Sequence, residues 1–272
     1  MQKYYRNKTI LITGAASGIG KRFAERIAEV EGVTLILWDR NPDILLDNRK
    51  ELPNTTKVYT ADVDVTKSEQ IKTEADALIA KGLVPDIIIN CAGIVVGKMF
   101  HEHDFWDIES TMEINAVGSM CVVRAFINPM IERGSGQIVN LASASGYIGN
   151  PRMSVYAASK WAVLGWSESL RIEMKRLHTG IGVTSVIPSY IKTGMFDGVK
   201  APLLVPLLET DQIVEKMIRG IAKRKSKIQA PFMVRSVPLL KAVLPDAAFD
   251  WVAGKVLGVY QSMDTFKGRI KE

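Results

Sequence analysis

Two spacings of apolar residues alternate along the first 190 positions. Short runs of strand length occupy Lys8 to Thr13, Val33 to Trp38, Lys57 to Tyr59, Asp86 to Ile89, Gly136 to Leu141 and Gly182 to Ile187. Between them, helical patterning predicts helices over Lys21 to Glu31, Lys67 to Lys81, Phe105 to Arg133 and Ser154 to His178. In the first of these, Phe23, Ile27 and Val30 fall on one face. The run at Val33 to Trp38 is apolar without alternation, as a strand buried on both faces requires. Strands and helices in turn, joined by short links, specify an α/β fold: a doubly wound parallel sheet with helices on both faces. No linker rich in Pro, Gly or Ser interrupts the chain before residue 195. A single domain is therefore expected, with residues 1–194 as its core and 195–272 as a lid and C-terminal extension packed on it.

The turn after the first strand makes the fold Rossmann-type. Thr13 to Gly20 places Gly14, Ala16, Ser17, Gly18, Ile19 and Gly20 between a strand and a helix. Glycines there permit a tight turn and close approach of backbone to a pyrophosphate, while the helix N-terminus offers free N–H groups and a positive dipole end. Asp39 closes the second strand about 20 residues on, where a carboxylate accepts hydrogen bonds from an adenosine ribose. The same carboxylate would repel a 2′-phosphate, so NAD is expected over NADP. Arg40 follows and is expected to face solvent.

Tyr156 and Lys160 are four apart in a helical pattern and share one face. A neighbouring ammonium, aided by an oxidised nicotinamide, favours the phenolate and lowers a phenol pKa that is ordinarily near 10. With Ser143 thirteen residues before Tyr156, and with the loop Thr13 to Gly20, Asp62-Val63, Asn90-Cys91-Ala92-Gly93, Asn115 and Pro188 with Thr193, the chain resembles the short-chain dehydrogenase/reductase family over residues 5 to 195. That resemblance implies Tyr156 as general acid/base, Ser143 as the hydrogen-bond partner of the substrate oxygen, and Lys160 on the nicotinamide ribose. Asn115 would hold a relay water. Asp62 and Val63 would meet the adenine, and Asn90, Ala92 and Gly93 would support the sheet beside the adenosine. Ile187-Pro188 and Thr193 would sit against the nicotinamide carboxamide, with Ile191 as a further cofactor residue. Two positions depart from the family pattern, Cys91 and Ser189, both close in size to the usual residues.

Residues beyond 194 are similar to the branch holding retinol dehydrogenases and long-chain-type 17β-hydroxysteroid dehydrogenases, and that branch's usual N-terminal hydrophobic anchor is not expected here. Met195, Phe196, Leu203, Leu204, Val205, Leu207 and Leu208 would line the lid, with Met99, Phe100, Tyr147, Met153 and Tyr190 as further pocket residues. Such a lining suits a lipophilic alcohol or carbonyl compound, of retinoid, steroid or long-chain type. The alternatives are a 3-oxoacyl thioester reductase and a non-catalytic nucleotide-binding scaffold. The resemblance also implies a homodimer or homotetramer built through the long helices.

Composition adds boundaries. With 47% hydrophobic and 24% charged residues, the chain is an ordinary globule and neither disordered nor a disulfide scaffold. Its two cysteines suit a reducing, cytoplasmic setting. As metal ligands His101 and His103 would need further convergent ligands, no cysteine or histidine cluster supplies them, and no metal site is expected. The net charge of +6 is uneven: residues 216–241 hold eight basic side chains and no acid, leaving the rest at −2. A charge so local does not describe a broad nucleic-acid face. It reads either as a solvated helix end and loop or as peripheral contact with an anionic membrane. No uninterrupted apolar run reaches the roughly 18 residues of a transmembrane span.

Overall fold

The computed structural model describes residues 2–203 and 205–268. From the N-terminus come β1 (Thr9–Thr13), α1 (Gly18–Ala28), β2 (Thr34–Asp39), α2 (Pro42–Glu51), β3 (Lys57–Asp62), α3 (Ser68–Ala80) and β4 (Ile87–Asn90). A long helical run follows: α4 (Phe105–Met112), a π-helical turn (Glu113–Val117) and α5 (Gly118–Arg133). The remaining principal elements are β5 (Gly136–Leu141), α6 (Ser154–Arg176), β6 (Ile181–Pro188), α7 (Thr210–Ala222), β7 (Lys227–Ala230), α8 (Val237–Val243) and α9 (Asp246–Asp250). Among the described residues the main sheet has seven strands, all parallel, in the order β3-β2-β1-β4-β5-β6-β7.

Strand alternation sorts the core into two layers. Ile10, Ile12, Leu35, Leu37, Ile87 and Ile89 face α1 and α7, meeting Phe23, Ile27, Ile213 and Met217. Leu11, Ile36, Trp38 and Ile88 face the opposite way, against Ile71 of α3, Val122 and Phe126 of α5 and Leu170 of α6. Trp38 and Phe126 pack with ring centroids 5.8 Å apart. Each side chain buried this completely contributes about 1.5–3 kcal/mol, so the continuous apolar strands are the main stabilising feature. Because chain order reverses between β1 and β4, a crevice opens beyond the carboxyl ends of those strands.

Three features differ from the sequence expectation. α1 begins at Gly18 and not Lys21, because the last glycines of the loop already form its first turn. Lys227–Ala230, expected to be loop, is a parallel edge strand in register with Ser185–Pro188 of β6. Four residues with lysine at one end carry little strand signal, and pairing with β6 supplies what the pattern lacks. The C-terminal part thus completes the same sheet, and no structural break falls at residue 194. Finally, Phe105–Arg133 is long and apolar enough, by length and composition, to cross a membrane. Here it packs Val122, Val123, Phe126 and Met130 into the core.

Candidate active site

The cleft at the switch point begins at the glycine turn. Gly14 has φ +65°, and a Cβ there would stand 2.8 Å from the backbone nitrogen of Ala92. A Cβ on Gly20 would meet the Gly14 carbonyl oxygen at 2.3 Å. The backbone is therefore drawn in as closely as only glycine allows, leaving a shallow cradle at the N-terminus of α1. Asp39 closes its far wall. One carboxylate oxygen accepts from the Ala16 amide at 2.9 Å and the other from the Asn41 amide at 3.1 Å. Each oxygen keeps a further lone-pair site for a ligand hydroxyl. Asn48 fixes this turn by donating to the Ala16 carbonyl at 2.8 Å.

Gly14, Ser17, Gly18, Ile19, Gly20, Asp39, Arg40, Val63, Ala92, Gly93, Tyr156, Lys160, Pro188, Ile191 and Thr193 all line one cleft. Three expected cofactor residues do not. Ala16 is buried and holds Asp39 from behind. Asn90 is buried in the sheet, donating to Asn140 at 2.8 Å. Asp62 is exposed at the end of β3, still paired with Asp39, and stops short of the crevice. Asp64 takes its place in the cleft, two residues beyond the strand. The repeated Asp-Val of Asp62 to Val65 offers both readings, and the point where β3 ends selects the second. Arg40 is exposed at the cleft rim.

At the inner end of the cleft, Ser143, Tyr156 and Lys160 converge from two elements. β5 ends at Leu141, and Ser143 starts a short 3-10 turn with its hydroxyl accepting from the Ser145 amide at 3.1 Å. The first turn of α6 presents Tyr156 and the next presents Lys160, whose ammonium lies 5.5 Å from the Tyr156 ring centroid and donates to the Leu141 carbonyl at 2.9 Å. All three are buried. Burial pushes the Lys160 ammonium down to about 8, while the nearby Cys91 acts the other way. Burial also pushes the Tyr156 phenol up, opposed by its hydrogen bond with Ser143. Without a ligand, then, the phenol is held protonated. Lys160 does not offset that shift in the cofactor-free protein, where desolvation of the phenol dominates.

Asn115 sits in the π-helical turn beside them. Its amide oxygen accepts from the Ile94 amide at 2.8 Å, and its nitrogen donates to the Ile94 carbonyl at 2.9 Å and to Ser159 at 3.0 Å. Asn115 thus ties the loop after β4 to α6, and it does not itself line the cleft.

A second, strongly apolar cavity adjoins the first and shares Ser143, Ser189 and Phe196 with it. Met195 lines the cofactor cleft only. Tyr190 lines the apolar cavity, and its hydroxyl is bound by Asn150 at 2.8 Å and Ser262 at 2.7 Å. Met153 is buried against Tyr156 and lines neither space. Phe100 is largely exposed and Met99 partly so, and neither lines either space. Tyr147 turns away, toward a separate cavity beside Trp161 and Lys227, where it is a stacking partner of Lys227. The expected lid contributes Phe196, Pro202 and Val205. Leu203 is exposed, Leu208 lies in the main core, Leu207 packs near Tyr156, and Leu204 lies outside the described residues. Half of the lining comes instead from residues 233–259, including Met233, Val237, Leu240, Phe249 and Leu257. Sequence reading missed this roof. Its signal was the apolar spacing of residues 233–257, set among prolines and charges.

Comparison with known proteins agrees with this geometry. Residues 8–203 match the family model for short chain dehydrogenase. Epidermal retinol dehydrogenase 2 of Mus musculus is 32% identical, over 100% of this chain and 89% of its own length. Estradiol 17-beta-dehydrogenase 11 of Macaca fascicularis is 30% identical over 90% of this chain and 82% of its own. A short chain dehydrogenase/reductase from Burkholderia phymatum, crystallised in complex with NAD, superposes with a TM-score of 0.79 at 26% identity, covering 88% of this chain and 94% of that one.

Proposed function

Because this chain belongs to the short-chain dehydrogenase family, and so is an oxidoreductase acting on CH–OH groups with a nicotinamide cofactor, we propose that it transfers hydride between NAD(H) and a lipophilic alcohol or carbonyl compound. The observation that carries the substrate class is the shared wall: Ser143 belongs both to the cofactor cleft and to the apolar cavity. A substrate oxygen on Ser143 therefore places the rest of the molecule among Tyr190, Phe196, Val237 and Leu240. Apolar surface buried there contributes roughly 25 cal/mol per Å², which favours extended hydrocarbon over sugars and short acids. Relatives named for retinol and estradiol point the same way.

In the oxidative direction Ser143 orients the substrate hydroxyl and Tyr156 takes its proton as the carbon gives up hydride. In the reductive direction Tyr156 returns that proton to the carbonyl oxygen. The nicotinamide, when bound, supplies the hydride acceptor and, oxidised, a positive charge that favours the phenolate. Lys160 adds its own charge and, with one donor held by the Leu141 carbonyl, two donors for the ribose hydroxyls, while Asn115 fixes the loop that carries Gly93. Asp39 would hold the adenosine ribose, and the Gly14–Gly20 cradle the pyrophosphate.

Turnover measured across alcohols graded from short and polar to long-chain and polycyclic tests the substrate class. kcat/KM is expected to rise with apolar size, and highest efficiency for short polar alcohols or for acyl thioesters would overturn it. Coenzyme choice follows from Asp39. Efficiency with NAD is expected to exceed that with NADP by about tenfold or more, since even one unrelieved repulsion of about 1.4 kcal/mol has that effect. Asp39→Asn should narrow the gap chiefly by improving NADP. A wild-type preference for NADP would instead assign the cleft rim to Arg40.

A further inference from the structure

We propose that the face built by residues 216–256 docks on an anionic lipid leaflet, placing the roof of the apolar cavity against the membrane. Six cations, Lys216, Arg219, Lys223, Lys225, Lys227 and Arg235, line one shallow depression at the β7 edge, and no carboxylate lines it. Among the described residues, only Arg219 of these six has a carboxylate within ion-pair distance, Glu215 at 2.7 Å. Lys227 and Arg235 rest on aromatic rings instead, Tyr147 at 6.0 Å and Phe232 at 5.5 Å. So many unpaired like charges repel one another, and an anionic surface relieves that repulsion.

The second observation concerns exposed apolar side chains of the same C-terminal segment, of which Phe232 also lines the depression. Phe232 is 75% exposed, Leu239 67%, Val243 69% and Trp251 62%. On α8, Val237 and Leu240 face the cavity, whereas Leu239 and Val243 lie on the far side of the helix in water. A helix that merely covers a core carries polar residues outward. Here both faces are apolar. A nucleic acid would engage the cations but leave Leu239, Val243 and Trp251 nothing to bury. A leaflet serves both sets, phosphate headgroups meeting the ammonium groups and the acyl boundary receiving the apolar side chains. No spanning segment is needed, since α8 is seven residues long.

That such docking delivers substrate rests on the lipophilic reading above, but the docking itself is tested separately. The full chain is co-sedimented with vesicles of phosphatidylcholine alone, or of phosphatidylcholine with phosphatidylserine. Binding is expected only with phosphatidylserine, falling as salt is raised. Lys223→Gln with Lys225→Gln should weaken it by about 30-fold, each cation near such a surface being worth about fivefold. Leu239→Ser with Val243→Ser should weaken it too, while turnover of a water-soluble alcohol stays unchanged in both variants. Negligible binding to either vesicle at low salt would overturn the proposal. So would a Leu239→Ser, Val243→Ser variant that keeps full vesicle affinity while a single-stranded oligonucleotide binds as tightly, which would mark a polyanion site. If vesicles bind as expected but no lipophilic alcohol is turned over, the docking surface stands and the substrate reading falls.

Discussion

Tyr156→Phe is expected to lower kcat by roughly 10²–10⁴-fold, the usual worth of a positioned proton-transfer group. The change removes one hydroxyl from a ring that is buried beside Phe196, with centroids 6.1 Å apart and nearly perpendicular. Ring packing therefore survives, and coenzyme affinity should change by less than a factor of a few. Burial already holds the phenol in its protonated form in the free enzyme. The variant accordingly removes no charge from the resting protein, and its thermal stability should lie close to the parent's. Kinetics with a saturating alcohol, together with coenzyme binding followed by fluorescence, separates the two effects. Retention of most turnover would mean that another group moves the proton.

Lys160→Met should abolish activity and yet make the cofactor-free protein more stable at neutral pH. The ammonium is buried with no carboxylate partner among the described residues, so its proton is held less tightly when folded, at about 8, than its ordinary 10.5. Below pH 8 the folded protein bears the whole cost of a buried charge. Between 8 and 10.5 the unfolded chain keeps a proton that the folded one has released, so wild-type stability from this group rises with pH. The gain from Lys160→Met is thus greatest below pH 8 and shrinks toward pH 10.5. A shift of this size corresponds to on the order of 3 kcal/mol, and the Leu141 carbonyl left without its donor reduces the net to about 2. Denaturant titrations of both proteins at pH 7 and 9.5 measure it. A variant less stable than the parent by the same amount at both pH values would show that Lys160 supports the fold and is not a destabilising catalytic investment.

Legibility in the sequence tracked how local the determining physics was. β1, β2 and β4 were visible because strands covered on both faces run almost continuously apolar, as in Leu35–Trp38, and β5 and β6 because Ile138, Val139, Val183 and Val186 keep strand-length apolar runs. The glycine turn and Asp39 were visible because chemistry fixes their spacing. β7 was not, since its Lys227 and Gln229 gain strand geometry only by pairing with β6, some forty residues earlier. The cavity roof was hidden for the same reason: Val237 and Phe249 read as apolar positions, but nothing local says which space they enclose. Tyr147 shows the converse error. Proximity to Ser143 in sequence suggested the pocket, and the 3-10 turn between them rotates the side chain to the other side of the wall.

The wide turn at Glu113–Val117 gives the long helical run two phases. Its buried positions before the turn are Asp107, Ser110 and Thr111; after it they are Gly118, Ser119, Val122, Val123, Phe126 and Met130. Counted at about 100° per residue, the second group is displaced from the first by close to one residue's rotation. The π-helical turn absorbs that extra residue, as such bulges do. A single deletion there would yield a more regular helix and a worse protein. Either Asn115 would leave Ile94 and Ser159, or α5 would roll about 100° and turn Phe126 off Trp38. The irregularity works as a phase joint, letting one half of the rod follow the sheet while the other half serves the loop beside Lys160.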